Sequence, residues 1–367
     1  MLNDILFIVA ILYSIMLLLF AAAALRAQYS AHATRRPRVS IIIAARNEEG
    51  NLPRCLDAIC SLSYPRELLE VIVVDDHSTD STRAIINRYA ERYSNLRLLE
   101  AERGTGTLQG KANAVSQGID VSRGEIVLFT DADCLVPPRW VEETVKYYTS
   151  DNVGIVAGFT SLEGSGWFAQ IQAIDWFSLF SAAAGLVRLR FPTTAVGTNL
   201  SVRRSAYEAV GGYRSIPFSV TEDYALFHAV TGQTAYRAVF PLDAKTLVRS
   251  KPCVTWRELY RQKKRWFLGG RGMEARQILI FGIPYLLNVL FLVAPLGGLS
   301  SVFWWSAGLK VFSDFLMTLP SLLTFHRSSL LRSFLLYEIY FYVYVLIFPV
   351  IVIVGKPVIW KERSFAE

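Results

Sequence analysis

Two aspartates separated by a single residue, Asp131 and Asp133, follow an apolar run in the stretch VLFTDADC. The run is typical of a buried strand, and in an extended chain residues two apart point to the same side. Two carboxylates on one side repel each other unless a cation or a hydrogen-bond donor lies between them. The pair therefore suits a hard divalent cation such as Mg²⁺ or Mn²⁺, with phosphate oxygens and water as further ligands. A solvated turn, in which Asp is common, is the alternative that this stretch by itself leaves open.

Strand-like and helix-like segments alternate from Val39 onward, which predicts an α/β fold with a mostly parallel, Rossmann-like sheet. The runs typical of strands are VSIIIAA, LEVIVVDD, LRLLEA and EIVLFTDAD. Polar clusters follow three of these runs: Arg46–Glu48, Asp75–Asp76 and Asp131–Asp133. Because the carboxyl ends of parallel strands lie at one edge of a sheet, we expect these clusters to form one ligand site. The signature GxGxxG follows none of the runs, which disfavours a nicotinamide-dependent enzyme.

The chain is 52% hydrophobic, and its longest uncharged runs lie towards both ends. The run Ile5–Leu25 is long enough to cross a bilayer as a helix. A cleaved signal peptide is the alternative, but the residues before this run carry no positive charge. Basic residues follow the run instead, so the positive-inside rule predicts an integral protein of the inner or plasma membrane whose soluble part is cytoplasmic. The net charge of +7 lies partly beside the membrane runs, which indicates attraction to the lipid bilayer and not to nucleic acid.

Four regions are predicted: an N-terminal transmembrane anchor over residues 1–28, a soluble α/β domain over 39–255, an interfacial helix region over 256–277, and C-terminal transmembrane or interfacial helices over 278–367. The C-terminal helices are expected near Phe281–Trp305, Val311–Phe325 and Ser333–Gly355. The middle helix contains Asp314 and Pro320, so it either crosses the membrane or lies at its surface. The number of C-terminal spans stays open at this point.

Six motifs occur in a fixed order between about Val39 and Met273: IIIAARNEEGNLPRCLDAI, VIVVDDHSTDST, GKANAVSQGI, FTDADC, TEDYAL and QKKRW. In kind and order they resemble glycosyltransferase family 2. The resemblance implies a GT-A fold, a nucleotide-sugar donor with UDP as the expected nucleotide, a divalent metal ion (Mg²⁺ or Mn²⁺) and inversion at the anomeric carbon of the sugar.

The resemblance also assigns roles at the donor. It places Glu48 and Asp76 at the base and ribose, Asp131 near the ribose, phosphate and metal, and Asp133 on the metal. Lys111, at the start of GKANA, suits a supplementary phosphate contact. A solvated lysine at a helix start is its alternative.

The motif TED, residues 221–223, resembles the segment that supplies the general base, which would be Asp223. Chemistry supports this role, because an inverting displacement needs one base and no enzyme nucleophile. The neighbouring charge of Glu222 would also raise the pKa of that carboxyl group. Capping of a helix N-terminus by Asp223, with Thr221 nearby, is the alternative, and both roles are compatible.

The motif QKKRW lies on a basic, aromatic helix. The resemblance places Trp266 against the acceptor and Gln262 and Arg265 near the diphosphate. A helix that only lies at the headgroup layer is the alternative. The segment GTNLSVRRSAYEAVGGYRS resembles the acceptor side of the family's site, but Gly197 and Asn199 are equally compatible with plain turns.

A lipid acceptor is favoured over a growing glycan, because one N-terminal and three C-terminal helices are few for a polymer channel. A processive polysaccharide synthase, of the hyaluronan or poly-N-acetylglucosamine kind, is the main alternative. A catalytically silent membrane scaffold is a third reading, disfavoured because Asp131, Asp133 and Asp223 are all present. A nucleotidyltransferase would explain the carboxylates at the strand ends but neither TED nor QKKRW.

Overall fold

The computed structural model describes residues 2–26, 36–104, 108–269, 275–354, 358–360 and 363–365. The chain forms two compact units. The sheet unit comprises residues 27–161 and 194–251, and the helical unit comprises residues 1–26, 162–193 and 252–367.

The strands are β1 Val39–Ala45, β2 Leu69–Asp75, β3 Leu96–Glu100, β4 Ile126–Phe129, β5 Val153–Ala157, β6 Thr160–Leu162, β7 Leu200–Arg203, β8 Arg237–Val239, β9 Val248–Ser250, β10 Val358–Trp360 and β11 Arg363–Phe365. The α-helices are α1 Leu2–Leu25, α2 Leu52–Cys60, α3 Thr82–Arg92, α4 Gly110–Asp120, α5 Trp140–Val145, α6 Trp167–Arg188, α7 Arg204–Ala209, α8 Gly212–Ser215, α9 Glu222–Gln233, α10 Trp256–Gly269, α11 Ala275–Val293, α12 Ser301–Thr324 and α13 Phe334–Val354.

The sheet unit is built on one mixed sheet with the strand order β3-β2-β1-β4-β7-β5-β8. Strands β3, β2, β1 and β4 are mutually parallel, with Ile41 of β1 opposite Val71 of β2 and Leu128 of β4. The predicted α/β class with a mostly parallel sheet is confirmed. Strand β7, which runs antiparallel to both β4 and β5, was not predicted.

The apolar strands carry side chains into layers on both faces of the sheet. Alternate residues of β1, Ile41 and Ile43, belong to one buried cluster with Leu52 and Leu56 of α2. On the other face, α4 packs so closely that a Cβ atom on Gly118 would lie 2.7 Å from Cγ2 of Ile42. Continuous apolar runs are therefore required, because each strand is covered on both sides.

The helical unit has a core in which the N-terminal helix is central. Leu6 and Leu17 of α1 are buried in one cluster with Leu186 of α6, Leu287 of α11 and Met317 of α12. In the described part of the chain, three segments are long and apolar enough to cross a membrane: Leu2–Leu25, Ile280–Gly297 and Ser328–Ile347.

The apolar span expected near Phe281–Trp305 is present but ends earlier, since the segment long and apolar enough to cross a membrane is Ile280–Gly297. Helix α11 ends at Val293, a 3₁₀ turn follows over Ala294–Gly297, and α12 begins at Ser301. The break follows from Pro295 and from Gly298, whose φ of 93° is in the left-handed region that favours glycine. Trp305 therefore belongs to the next helix, which is longer than the expected Val311–Phe325.

Three charged residues and one tyrosine inside the helical unit form a buried cluster, which we call the ion cluster: Tyr13, Lys310, Asp314 and Glu338. The Tyr13 hydroxyl donates to Oδ1 of Asp314 at 2.5 Å. The Lys310 ammonium lies 3.0 Å from Oδ2 of Asp314 and also forms an ion pair with Glu338. Asp314 is only 3% exposed, so this cluster, and not contact with water, accommodates its charge.

Replacing Lys310 with Met is expected to destabilise the protein by about 3–5 kcal/mol, since two buried carboxylates would lose their cation. Thermal unfolding of the detergent-solubilised protein measures this. The matched control is Arg332→Met, which removes an exposed cation. Equal unfolding temperatures for both variants would show that the ion cluster does not support the fold.

Candidate active site

The carboxyl ends of β1, β2 and β4 lie side by side, so Glu48, Asp76 and Asp131 follow adjacent parallel strands. The chain turns sharply after two of these strands, because Asn47 and His77 have φ values of 53° and 59°. Asn and His are among the residues that tolerate this left-handed conformation best. The edge is therefore shaped by local backbone turns that the sequence encodes.

The loops after β1 and β2 are interlocked by hydrogen bonds. The Asn47 amide donates to Ser78 Oγ at 3.0 Å, and the Thr79 amide donates to Asn47 Oδ1 at 2.8 Å. The Glu48 amide donates to Thr82 Oγ1 at 2.8 Å, and the carboxylate of Glu48 accepts from Asn51 at 2.8 Å. These bonds fix the position of Glu48 at the edge.

Asp76 is held by its neighbours on the same edge. Its amide donates to the carbonyl of Ala45 at 2.8 Å, and its own carbonyl accepts from Arg46 Nη1 at 3.0 Å. Its carboxylate is 3.3 Å from His77 Nδ1. The backbone of Asp76 is thus held between the ends of β1 and β2.

Asp131, Asp133 and Cys134 form a cluster whose ligand atoms all lie within 4.8 Å of one another. Burial, followed by the charges of Asp131 and Glu48, raises the pKa of Asp133 to about 6. A bound cation would oppose this shift, because a nearby positive charge favours the ionised carboxylate. Burial also holds the pKa of the Cys134 thiol well above its usual value, so the thiol stays protonated and the carboxylate oxygens are the available ligands. The donor set fits a hard divalent cation.

Lys111, at the start of α4, bridges two motifs that are distant in sequence. Its ammonium lies 2.8 Å from Oδ1 of Asp131 and 2.7 Å from Oε1 of Glu222. Burial alone would lower the pKa of Lys111, but the charges of Asp131, Glu222 and Asp223 outweigh it and hold the pKa above its ordinary value. Lys111 is therefore a charged link between the carboxylate pair and the TED motif, with about one-fifth of its side chain exposed (21%).

Asp223 is the second residue of α9 and lies in its first turn. The N-cap residue, Thr221, lies two positions before it. One carboxylate oxygen accepts from the Gly197 amide at 2.5 Å, and the other accepts from the Tyr224 amide at 2.8 Å. Burial and the charge of Glu222 raise the pKa of Asp223 to about 6, against the opposing effect of Lys111. A partly buried carboxylate of this kind is suited to exchange a proton near neutral pH.

Gly197 and Asn199 have different positions, which the sequence did not distinguish. A Cβ atom on Gly197 would lie 3.3 Å from both Asp223 Oδ2 and Lys111 Nζ, so Gly197 is at the site. Asn199 is buried, where it accepts from Trp140 Nε1 at 2.9 Å and donates to the carbonyls of Phe159 and Thr246. Asn199 supports the backbone that carries Gly197.

Replacing Lys111 with Met is expected to lower kcat/KM by about 10–100-fold, because two carboxylates, Asp131 and Glu222, lose a charge-assisted partner. Steady-state kinetics with varied donor concentration measures the loss. Lys146→Met is the matched control, since Lys146 is also partly buried and pairs with Glu143 at 2.6 Å. A similar loss in both variants would contradict a specific role for Lys111.

The predicted acceptor-side residues Gln262, Arg265 and Trp266 belong to α10 in the helical unit. Trp266 packs against Trp176 of α6 with 5.6 Å between ring centroids. Lys263, one residue after Gln262, is buried, forms an ion pair with Asp175 and lies 4.7 Å from the Trp266 ring. Among the described residues, Oε1 of Gln262 is buried and has no hydrogen-bond partner.

A model described as Glycosyl transferase family 2 matches residues 40–211. A model described as Glycosyl transferase family group 2 matches residues 126–354, which is more than half of the chain. The chain belongs to glycosyltransferase family 2. It is thus an enzyme of the glycosyltransferase class.

Two curated relatives show how far the similarity extends. A probable glycosyltransferase of Bacillus subtilis, YdaM, is 28% identical over 257 residues, covering 64% of this chain and 56% of that protein. A beta-monoglucosyldiacylglycerol synthase of Nostoc sp. is 29% identical over 243 residues, covering 64% of this chain and 49% of that protein. The chain therefore spans about half the length of these relatives.

A solved structure supports the GT-A fold. The mannosyltransferase PcManGT from Pyrobaculum calidifontis, solved in complex with GDP-Man and Mn²⁺, superimposes with a TM-score of 0.59 and 22% sequence identity. The match covers 93% of this chain and 99% of that chain.

Proposed function

We propose that this glycosyltransferase moves a sugar from a nucleotide diphosphate sugar, with UDP as the expected nucleotide, to a hydroxyl group of a membrane lipid. The observation that carries the proposal is Asp223, a partly buried carboxylate with a raised pKa that Lys111 and Glu222 link to the Asp131–Asp133 pair. The helical unit would anchor the enzyme in the membrane, with the sheet unit on the cytoplasmic side.

The strand edge supplies the proposed donor site. Glu48 and Asp76 would bind the base and ribose, and Asp131 and Asp133 would hold Mg²⁺ or Mn²⁺. When bound, the metal ion neutralises charge that develops on the departing diphosphate. Lys111 is positioned to donate to a diphosphate oxygen once the donor competes for its ammonium group.

The proposed reaction is a single inverting displacement. The acceptor oxygen forms a bond to the anomeric carbon while the bond from that carbon to the diphosphate oxygen breaks. The acceptor proton passes to Asp223, whose carboxylate is oriented by the amides of Gly197 and Tyr224. Glu222 would assist by keeping the basicity of Asp223 high.

A lipid acceptor is supported by two observations. Three described segments are apolar and long enough to cross a membrane, and one relative is named for the synthesis of a glycolipid. Trp266 would contact the acceptor and Arg265 and Gln262 the diphosphate, tasks that suit an indole face and a forked guanidinium.

The rate of transfer is expected to fall as the pH drops through about 6, because the base must be deprotonated and its pKa is raised to about 6. A profile of kcat/KM against pH, at saturating metal ion, measures this. Glu222→Gln is expected to shift the acid limb to lower pH, since the neighbouring negative charge that raises the pKa is removed. An acid limb that stays in place in this variant would contradict the assignment.

The test of the acceptor class uses membranes that contain the protein, radiolabelled UDP-sugars, and Mg²⁺ or Mn²⁺. Products are separated into organic-extractable and high-molecular-weight aqueous fractions, with Asp223→Asn as the control. A discrete labelled lipid that disappears in the variant would support the proposal. Label in a polydisperse aqueous product would instead identify a polysaccharide synthase.

A further inference from the structure

A groove of about 400 Å³ lies within the helical unit, between α6, α10 and α13. Its α13 wall is formed by residues at the spacing of one helix face: Leu336, Ile339, Tyr340, Val343, Tyr344 and Ile347. Leu336 and Ile347 are eleven positions apart, which is about 16 Å along an α-helix, so the groove is long and narrow. Its volume lies in the range of sites that bind small ligands.

The lining is almost wholly apolar, which restricts the class of ligand. Helix α6 contributes Trp167 and Ile171, and α10 contributes Trp256, Leu259 and Tyr260. Lys263 also lines the groove, but its ammonium group is already paired with Asp175. A hydrocarbon chain satisfies such a surface, and a charged or strongly polar ligand would not.

The position of the groove points to a lipid as the source of that chain. Segment Ser328–Ile347, which carries the whole α13 wall, is long and apolar enough to cross a membrane. Trp167 and Trp256 are about half exposed, at 52% and 55%, and Trp256 packs against Tyr340 with 6.3 Å between ring centroids. Aromatic residues of this kind concentrate where hydrocarbon meets the headgroup layer. The groove therefore has an aromatic end and continues along aliphatic side chains.

Two polar features lie at the same helices. Within the described residues, the hydroxyl oxygen of Tyr340 is buried and has no hydrogen-bond partner. A buried hydroxyl without a partner is costly, and an ester carbonyl would accept its hydrogen. Arg257 and Arg261 are exposed one turn apart on α10, where they would attract an anionic headgroup.

We propose that this groove binds one acyl chain of an anionic glycerolipid, with the ester carbonyl accepting a hydrogen bond from Tyr340. The site goes beyond the transfer reaction, because it would bind lipid whichever molecule receives the sugar. Sequence motifs do not mark it, since its walls come from three helices that are far apart in the chain.

The test is native mass spectrometry of the full chain in detergent, with palmitoyl-oleoyl phosphatidylglycerol as the probe. Val343→Trp fills the groove and is expected to lower lipid retention about tenfold, as displacing about two methylene groups would. Leu335→Trp is the matched control, because Leu335 lies on the same helix, is 68% exposed and is not part of the lining. Ile339→Trp is a second filling variant at a position that is 63% exposed, where a larger side chain does not overpack the core. The proposed site would be overturned if lipid retention were unchanged in both filling variants. It would also be overturned if the control variant lost lipid to the same extent.

Two further comparisons test the polar contacts. Tyr340→Phe is expected to weaken retention of the ester lipid about 2–10-fold and to leave an ether-linked phosphatidylglycerol unaffected. An equal effect on both lipids would overturn the hydrogen bond. The double variant Arg257→Gln, Arg261→Gln is expected to abolish preference for phosphatidylglycerol over phosphatidylcholine with the same chains. If the wild-type protein showed no such preference, the proposal of an anionic headgroup would be overturned.

Discussion

Replacing Asp223 with Asn is expected to lower the rate of sugar transfer by about 10²–10⁴-fold, the usual contribution of a positioned general base. Asn has nearly the same shape and keeps an oxygen that can accept from the Gly197 amide, but it cannot take the proton of the acceptor hydroxyl. Donor affinity should change little, because the proposed donor contacts are made by other residues. Transfer rate and donor binding are measured separately, by product formation and by calorimetry.

The matched control for this substitution is Asp243→Asn in the same unit. The Asp243 carboxylate also accepts two hydrogen bonds, from the Lys245 amide and the Tyr147 hydroxyl, but it is not one of the candidate site residues. A comparable loss of rate in both variants would mean that Asp223 acts through the fold. Retention of full activity in Asp223→Asn would remove it from the proposed mechanism.

Replacing Asp133 with Asn is expected to abolish metal-dependent donor binding and to lower kcat/KM by roughly 10²–10³-fold, in keeping with the several kcal/mol that a metal ion contributes. The physical reason is that burial, followed by the charges of Asp131 and Glu48, raises the pKa of Asp133 to about 6, and a bound cation would favour the ionised carboxylate. Binding of Mn²⁺, followed by electron paramagnetic resonance, reads out the site without any turnover. Donor titrations with and without metal complete the measurement.

Cys134→Ala separates the oxygen ligands from the thiol. The thiol is buried and protonated, so its removal should leave the affinity for Mn²⁺ within a factor of about two, against a large loss for Asp133→Asn. If Cys134→Ala lost the metal as completely as the aspartate variant, the thiol would have to be a ligand, contrary to the proposed oxygen site.

The local part of this structure was predictable from the sequence. Strands β1, β2 and β4 are continuous apolar runs because helices or buried side chains cover both of their faces. Parallel strands place their carboxyl ends together, so the sequence predicts Glu48, Asp76 and Asp131 on one edge of the sheet.

Contacts between distant segments were not predictable in the same way. Strand β7 has only four residues, and its pairing with β4 joins segments about 70 residues apart, which no short-range pattern records. That pairing lies beside the turn that brings Gly197 to Asp223 and Lys111. For the same reason, the sequence left Lys111 with two readings, a phosphate contact or a solvated lysine, and only the fold shows its ion pairs.

The C-terminal helices show the limit of hydropathy. The uncharged run near Phe281–Trp305 was interpreted as one span, although Pro295 and Gly298 end one helix before Ser301 starts the next. A hydropathy scale also treats Lys310 and Asp314 only as charged residues that disfavour burial, because it takes no account of their partners. In the folded protein they lie in the ion cluster with Tyr13 and Glu338, which are more than 20 residues away in sequence.

The sequence by itself determined the family, the α/β class, the strand edge with its carboxylates and the apolar segments, because each depends on residue type and short-range spacing. Tertiary structure alone decided which charges pair, where Gly197 lies and how three helices enclose the groove beside Tyr340. The physical reason is that an ion pair or a groove exists only when separate segments are packed together, and the energy of that packing is shared by residues that are not neighbours in the chain.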